Sequence, residues 1–135
     1  MISIRTSDRA VLRALHFINE NERVKKEVEA LLNDDIDTFL KTVTESGNSS
    51  FKYLQNVYTN SDINHQNVSI ALAMSEVILG KNGVCRVHSG GFAGTIQAFV
   101  KNEAVADYKQ KMDTIFGQNS CNVLKIRAYG GMKVL

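Results

Sequence analysis

Between Arg86 and Val100 the chain reads RVHSGGFAGTIQAFV, two strand-like runs around a turn dense in glycine. Within Ser89-Gly90-Gly91-Phe92-Ala93-Gly94 side chains are nearly absent, so main-chain amides stand open and another molecule can approach the backbone closely. Concavities of N–H groups suit anionic or polyhydroxylated ligands. A β-hairpin turn that needs glycine only for its dihedral angles accounts for the same residues. Either way, two adjacent strands are expected here, and the rest of the fold must be arranged around them.

The 135 residues are expected to form a single domain over 1–135, large enough to bury a core. A formal net charge of +2 gives no ground for nucleic acid or an anionic membrane as partner. Lys25-Lys26 is followed at once by Glu27 and Glu29, the pattern of a solvated helix face. No apolar run approaches the roughly 20 residues of a membrane span. MISIRTSDR, at the start of the chain, has no long apolar core of a secretory signal. Cys85 and Cys121 form neither a disulfide framework nor a paired zinc spacing, and read as small reduced hydrophobes of a cytoplasmic protein. Proline is absent, which favours uninterrupted helices.

Hydrophobic periodicity orders the chain. Ile2 and Ile4 alternate with Ser3 and Arg5, as in a short strand. Thr6, Ser7 and Asp8 offer N-cap side chains to a long helix ending near Leu32. Its predicted buried face carries Val11, Leu12, Leu15 and Ile18, continued by Val24, Val28, Leu31 and Leu32. Asn33-Asp34-Asp35 punctuates it and caps a second helix with Ile36, Phe39, Leu40 and Val43 inward. Ser46-Gly47-Asn48-Ser49-Ser50 reads as a polar break, followed by a shorter helix carrying Phe51, Leu54, Val57 and Tyr58. After Thr59–Asp62, a fourth helix is expected from Ile63 to Leu79, closed by Gly80 and Gly83. Strands follow over Val84–His88 and Thr95–Val100. Then come a helix capped by Asn102, with Val105, Tyr108, Met112 and Ile115 inward, and a last strand over Val123, Leu124 and Ile126. With the strand at Ile2–Ile4 the order predicts an α+β, ferredoxin-like βαββαβ sandwich with extra helices inserted before the second strand; without it, the sheet has three strands and is completed by something outside this chain.

Chemistry-bearing motifs are sparse. No nucleophile elbow, zinc-protease helix or Walker lysine motif is present, and no catalytic residue or metal site is assigned. His16, His65 and His88 lie far apart in sequence, and His88 is expected to hydrogen-bond the turn backbone. Asp34, Asp35 and Asp37 suit helix capping better than metal binding. The serine-rich stretch 46–50 suits either a ligand surface or a capped interhelical turn.

Several segments together carry a family resemblance. Arg13-Ala14-Leu15-His16 followed by Asn21-Glu22-Arg23-Val24 resembles the opening of the long helix in the C-terminal domain of galactokinases, members of the GHMP small-molecule kinase superfamily. Ser46-Gly47-Asn48-Ser49-Ser50-Phe51 with Tyr53-Leu54-Gln55-Asn56 resembles the helical hairpin of the bacterial members. Gly83, Arg86 and Gly90-Gly91-Phe92-Ala93-Gly94 resemble the third motif of the superfamily, G-x-R-x-T-G-G-G-F-G-G. This chain departs from that motif at His88, Ser89 and Ala93, and Ser61–Gln66 lacks the pattern of many relatives.

The resemblance implies a parent enzyme that uses Mg-ATP to phosphorylate the C1 hydroxyl of galactose. It implies that the galactose signature, the serine-rich phosphate loop and the transfer residues lie in an N-terminal domain missing from this chain. The turn Ser89, Gly90, Gly91, Phe92, Ala93 and Gly94 would then line the substrate and phosphate side of the cleft, with Phe92 anchoring it. The chain alone would be inactive, without bound ATP or magnesium, and would self-associate through its exposed domain interface. A stand-alone sugar-sensing or oligomerising module of the same fold is the alternative, because fold alone does not fix function.

Overall fold

The computed structural model describes residues 7–91 and 94–125. Four α-helices and one two-stranded antiparallel sheet make a small α+β domain: α1 (Asp8–Leu32), α2 (Ile36–Ser49), α3 (Asn67–Leu79), β1 (Gly83–Val87), β2 (Ile96–Val100) and α4 (Val105–Phe116). The expected strand at Ile2–Ile4, and Ile126 of the last expected strand, lie outside the described residues.

Local chemistry sets the helix ends. The Ser7 hydroxyl accepts from the Ala10 amide at the start of α1. Asp34, with φ +54°, turns the chain, and Asp35 then caps α2 by accepting from the Thr38 amide at 3.0 Å. Thus the aspartate cluster turns and caps, as its spacing suggested. Gly80 and Gly117, with φ of +51° and +102°, end α3 and α4.

The hairpin lies between two helical layers. Register pairs Gly83 with Val100 and Val87 with Ile96. Cys85, Val87, Ile96, Ala98 and Val100 face α3 and α4, packing with Leu79, Tyr108, Met112, Val57 and Val68. Arg86 and Phe99 face the other way, toward α1 and α2. Phe99 meets Phe39 edge to face, with ring centroids 5.3 Å apart. Two glycines permit this close layering. A Cβ on Gly47 would lie 3.0 Å from that of Arg86, and one on Gly83 would strike the Phe99 carbonyl.

Four sequence expectations require correction. Ser46–Ser50 is not a break, since α2 runs to Ser49 and continues as a π-helical turn over Ser50–Leu54. The hydroxyls of Ser46 and Ser49 find partners on α1, at Glu20 and His16, and leave the helix backbone intact. The short helix expected through Tyr58 stops at Leu54, because Gln55 enters the left-handed region at φ +52°. The fourth helix begins at Asn67, not Ile63. Asp62 accepts from the Asn64 amide, and the Gln66 side chain donates to the Thr59 and Asp62 carbonyls, a local turn that competes with helix. Finally, Asn102 makes no side-chain cap; it opens a 3₁₀ turn, Asn102–Ala104, that leads into α4.

Two expected burial patterns also fail. Residues 122–125 form no strand, and Val123 and Leu124 are exposed. β propensity alone does not order them. On α1, Leu15, Ile18, Val24, Val28, Leu31 and Leu32 are exposed, while His16 and Ala30 are the buried residues. The side of α2 facing α1 carries Thr42, Ser46 and Ser49, so the contact between the helices is polar.

Candidate functional site

The glycine turn stands at the tip of the hairpin. Its base is closed by the His88 amide donating to the Thr95 carbonyl at 3.2 Å. The Gly91 amide donates to the His88 carbonyl at 3.3 Å, so the His88 main chain, not its exposed side chain, holds the bend. Ser89, Gly91 and Gly94 have φ of +52°, +66° and +82°, a left-handed backbone that glycine adopts without strain. Ser89, Gly90 and Gly94 are exposed. Among the described residues, the amides of Ser89 and Gly90 have no internal partner. The bend is therefore outward-facing, with free donors on its surface. Phe92 and Ala93 lie outside the described residues.

Beneath the turn the packing is tight. Val87, 1% exposed, enters the core with Val57 and Val68 at the root of the turn. The residue before Val57 is Asn56, also buried. A Cβ on Gly91 would strike the Asn56 carbonyl oxygen and lie 2.8 Å from its Cβ and Cγ. Glycine is required at 91 by close approach as well as by φ. Neither Nδ2 nor Oδ1 of Asn56 has a hydrogen-bond partner. Asn56 has no role that the sequence alone announces, because nothing in Gln55-Asn56-Val57 signals burial beneath a turn distant along the chain.

A polar cluster ties β1 to the helices behind it. Glu20 accepts from Ser46 and from Arg23 Nε at 2.8 Å, and lies 3.4 Å from Arg86 Nη1. His16 Nδ1 meets Ser49 Oγ at 2.9 Å. Burial pushes Glu20 upward, but the Ser46 and Arg23 hydrogen bonds and the charges of Arg23 and Arg86 bring it below its ordinary value. Burial dominates at His16 and lowers it, with Arg23 and Arg86 acting in the same direction against Glu20. The cluster orients Arg86 and hence the strand leading to the turn. The earlier choice for Ser46–Ser50, ligand surface or interhelical turn, resolves as neither, since Ser46, Ser49 and Ser50 are buried in the helix packing.

The remaining chemistry-bearing residues do not converge on the turn. His65 pairs with Asp62 at 2.6 Å on an exposed loop. Cys85 and Cys121 are free thiols, half-buried, and burial raises Cys85 to about 11, which leaves it protonated and unreactive at neutral pH. Among the described residues, no three His, Cys, Asp or Glu side chains gather as metal ligands, and no helix is long and apolar enough to cross a membrane.

The site thus defines a small α+β domain that offers main-chain donors at a hairpin tip. Its relatives are galactokinases. Over 96 residues, 71% of this chain, the sequence is 31% identical to the galactokinase of Haemophilus influenzae (strain Rd). Over the same length it is 34% identical to that of Glaesserella parasuis serovar 5 and 32% identical to that of Actinobacillus pleuropneumoniae. No family profile and no solved structure matches the chain. The match covers 23% of each of these relatives, so the chain spans about a quarter of their length. The chain is homologous to a segment of the galactokinases.

Proposed function

We propose that the chain is the C-terminal domain of a galactokinase, supplying one wall of a cleft in which the γ-phosphoryl of Mg-ATP passes to the C1 hydroxyl of galactose. The observation that carries this reading is the outward-facing turn of a galactokinase homologue, with the Ser89 and Gly90 amides open to a ligand. Phosphoryl transfer relies mainly on positioning and on electrostatic stabilisation of the phosphoryl oxygens. Main-chain N–H groups at Ser89, Gly90 and Gly94 suit that task, while the Gly91 amide is held by the His88 carbonyl.

In this reading the inner part of the domain is ferredoxin-like. α3, β1, β2 and α4 follow one another as the central αββα of a βαββαβ unit, and α3 and α4 pack on the same face of the hairpin. The pair α1 and α2 adds a layer on the opposite face. The exposed apolar residues of α1 supply a surface for the N-terminal domain, which is also the route to self-association of the isolated chain.

Complementation tests the proposal. A galactokinase relative truncated before the segment that matches this chain is co-expressed with it, and ATP-dependent phosphorylation of galactose is measured. Neither piece alone is expected to turn over, because one wall forfeits the advantage of holding the reactants together. The pair is expected to recover activity. Turnover by this chain alone would refute the reading and leave a different enzyme. A pair without activity, with a chain that nevertheless binds galactose, would favour the sugar-sensing module.

A further inference from the structure

Asn56 is 2% exposed, and neither polar atom of its carboxamide has a partner. Buried donors and acceptors are nearly always satisfied, so each exception requires a reason. The place of this one supplies it. Gly91 sits directly on Asn56, close enough that even a methyl group could not be inserted between them. Val57, the next residue, is fixed in the core with Val87, which leads into the turn. Asn56 is therefore anchored to the root of the same bend whose tip it supports. The turn has unused donors on its outer side, at Ser89 and Gly90, and an unused donor and acceptor on its inner side.

A carboxamide holds a donor and an acceptor side by side, the complement of a peptide group. We infer that Asn56 is a positioning residue for the glycine turn: when a phosphoryl group engages the outer amides, the carboxamide hydrogen-bonds the main chain of the turn from beneath and fixes those amides on the anion. The inference rests on the galactokinase-domain reading, and it adds the residue that holds the turn in its binding geometry. Asn56 acts through Gly91 and does not touch the phosphoryl group. A residue kept only for packing would be better replaced by an apolar group of the same shape, since the carboxamide gains nothing from burial without partners.

The test is a titration of the ¹⁵N-labelled chain with inorganic phosphate, followed by NMR, for the native sequence and for Asn56→Leu. ATP and galactose 1-phosphate, titrated separately, assign the source of the phosphoryl group. In the native chain the Ser89 and Gly90 amides and the Asn56 side-chain NH₂ pair are expected to shift together. In Asn56→Leu the signals of Val57, Val68 and Val87 stay in place, showing an intact core, while phosphate affinity at the turn falls by about tenfold, as for the loss of one good hydrogen bond. If the turn responds but the Asn56 NH₂ pair is silent, or if Asn56→Leu binds as well as the native chain, the positioning role is wrong and the turn remains an anion site. If phosphate moves only surface lysines and no turn amide, the anion-facing turn fails and the inference falls with it. Should Asn56→Leu lose its core signals, Asn56→Ser, which is smaller and keeps a hydroxyl, is run in its place. Undiminished phosphate response in Asn56→Ser lacking any contact to the turn overturns the role equally.

Discussion

Arg86 of β1 and Glu20 of α1, separated by 66 residues in sequence, meet at 3.4 Å. The contact joins the strand beneath the glycine turn to the long helix on the α1 and α2 side of the hairpin. Both side chains are largely buried, at 20% and 23% exposure, so removing one charge leaves the other poorly solvated. Glu20→Gln is expected to cost about 1–3 kcal/mol. Urea unfolding of the two chains checks this. An unchanged midpoint would mean that the cluster is solvated in solution.

His16 gives the fold a dependence on pH. Its value lies below the ordinary 6.5, mainly through burial, so the folded chain binds this proton less readily than the unfolded chain does. The neutral form is the one the fold accepts. Stability is expected to be full above pH 6.5 and to decline as pH falls through the lower folded value. Melting temperatures recorded from pH 7 to about pH 5 should show this slope, and His16→Gln should flatten it. The same slope in both chains would place the effect elsewhere.

Gly90 and Gly91 are neighbours with opposite tolerance. A Cβ on Gly90 meets nothing within 4 Å, whereas one on Gly91 strikes Asn56 at φ +66°. Gly90→Ala is expected to change stability by less than about 0.5 kcal/mol. Gly91→Ala is expected to lose about 1–3 kcal/mol through strain and collision. Thermal melts of the two variants compare them directly, and equal losses would contradict the packing described under the turn.

The apolar side of α1 should be sticky. Phe17, Val24, Val28 and Leu31 are 66%, 50%, 52% and 47% exposed and recur at helical spacing. Sedimentation of the isolated chain is expected to show association that rises with concentration. Val28→Lys with Leu31→Lys should shift it toward monomer while altering stability by no more than about 0.5 kcal/mol per site. A chain that sediments as a monomer throughout would remove this surface as an interface.

Much of the architecture was legible because local signals agreed with it. Ser7, Asp35, Gly80 and Gly117 mark helix ends by their own chemistry, and the alternation around the glycine turn marks the hairpin. The face of α1 was misread because periodicity locates apolar residues without saying what they meet. In this chain α2 offers α1 serines and a threonine, so polar residues went inward. The serine run at 46–50 was misread for the same reason: the hydroxyls of Ser46 and Ser49 meet Glu20 and His16, distant in sequence. At the site, the glycines announced the turn through their conformational freedom. Asn56 did not announce itself, because its significance depends on Gly91 lying above it.

The hairpin is gripped on both faces along its length, while Ser89, Gly90 and Gly94 of its turn are exposed. A stem held this way resists bending. Any adjustment the tip makes to what it meets is therefore confined to a few peptide units, and the far end of the domain need not register that anything has arrived.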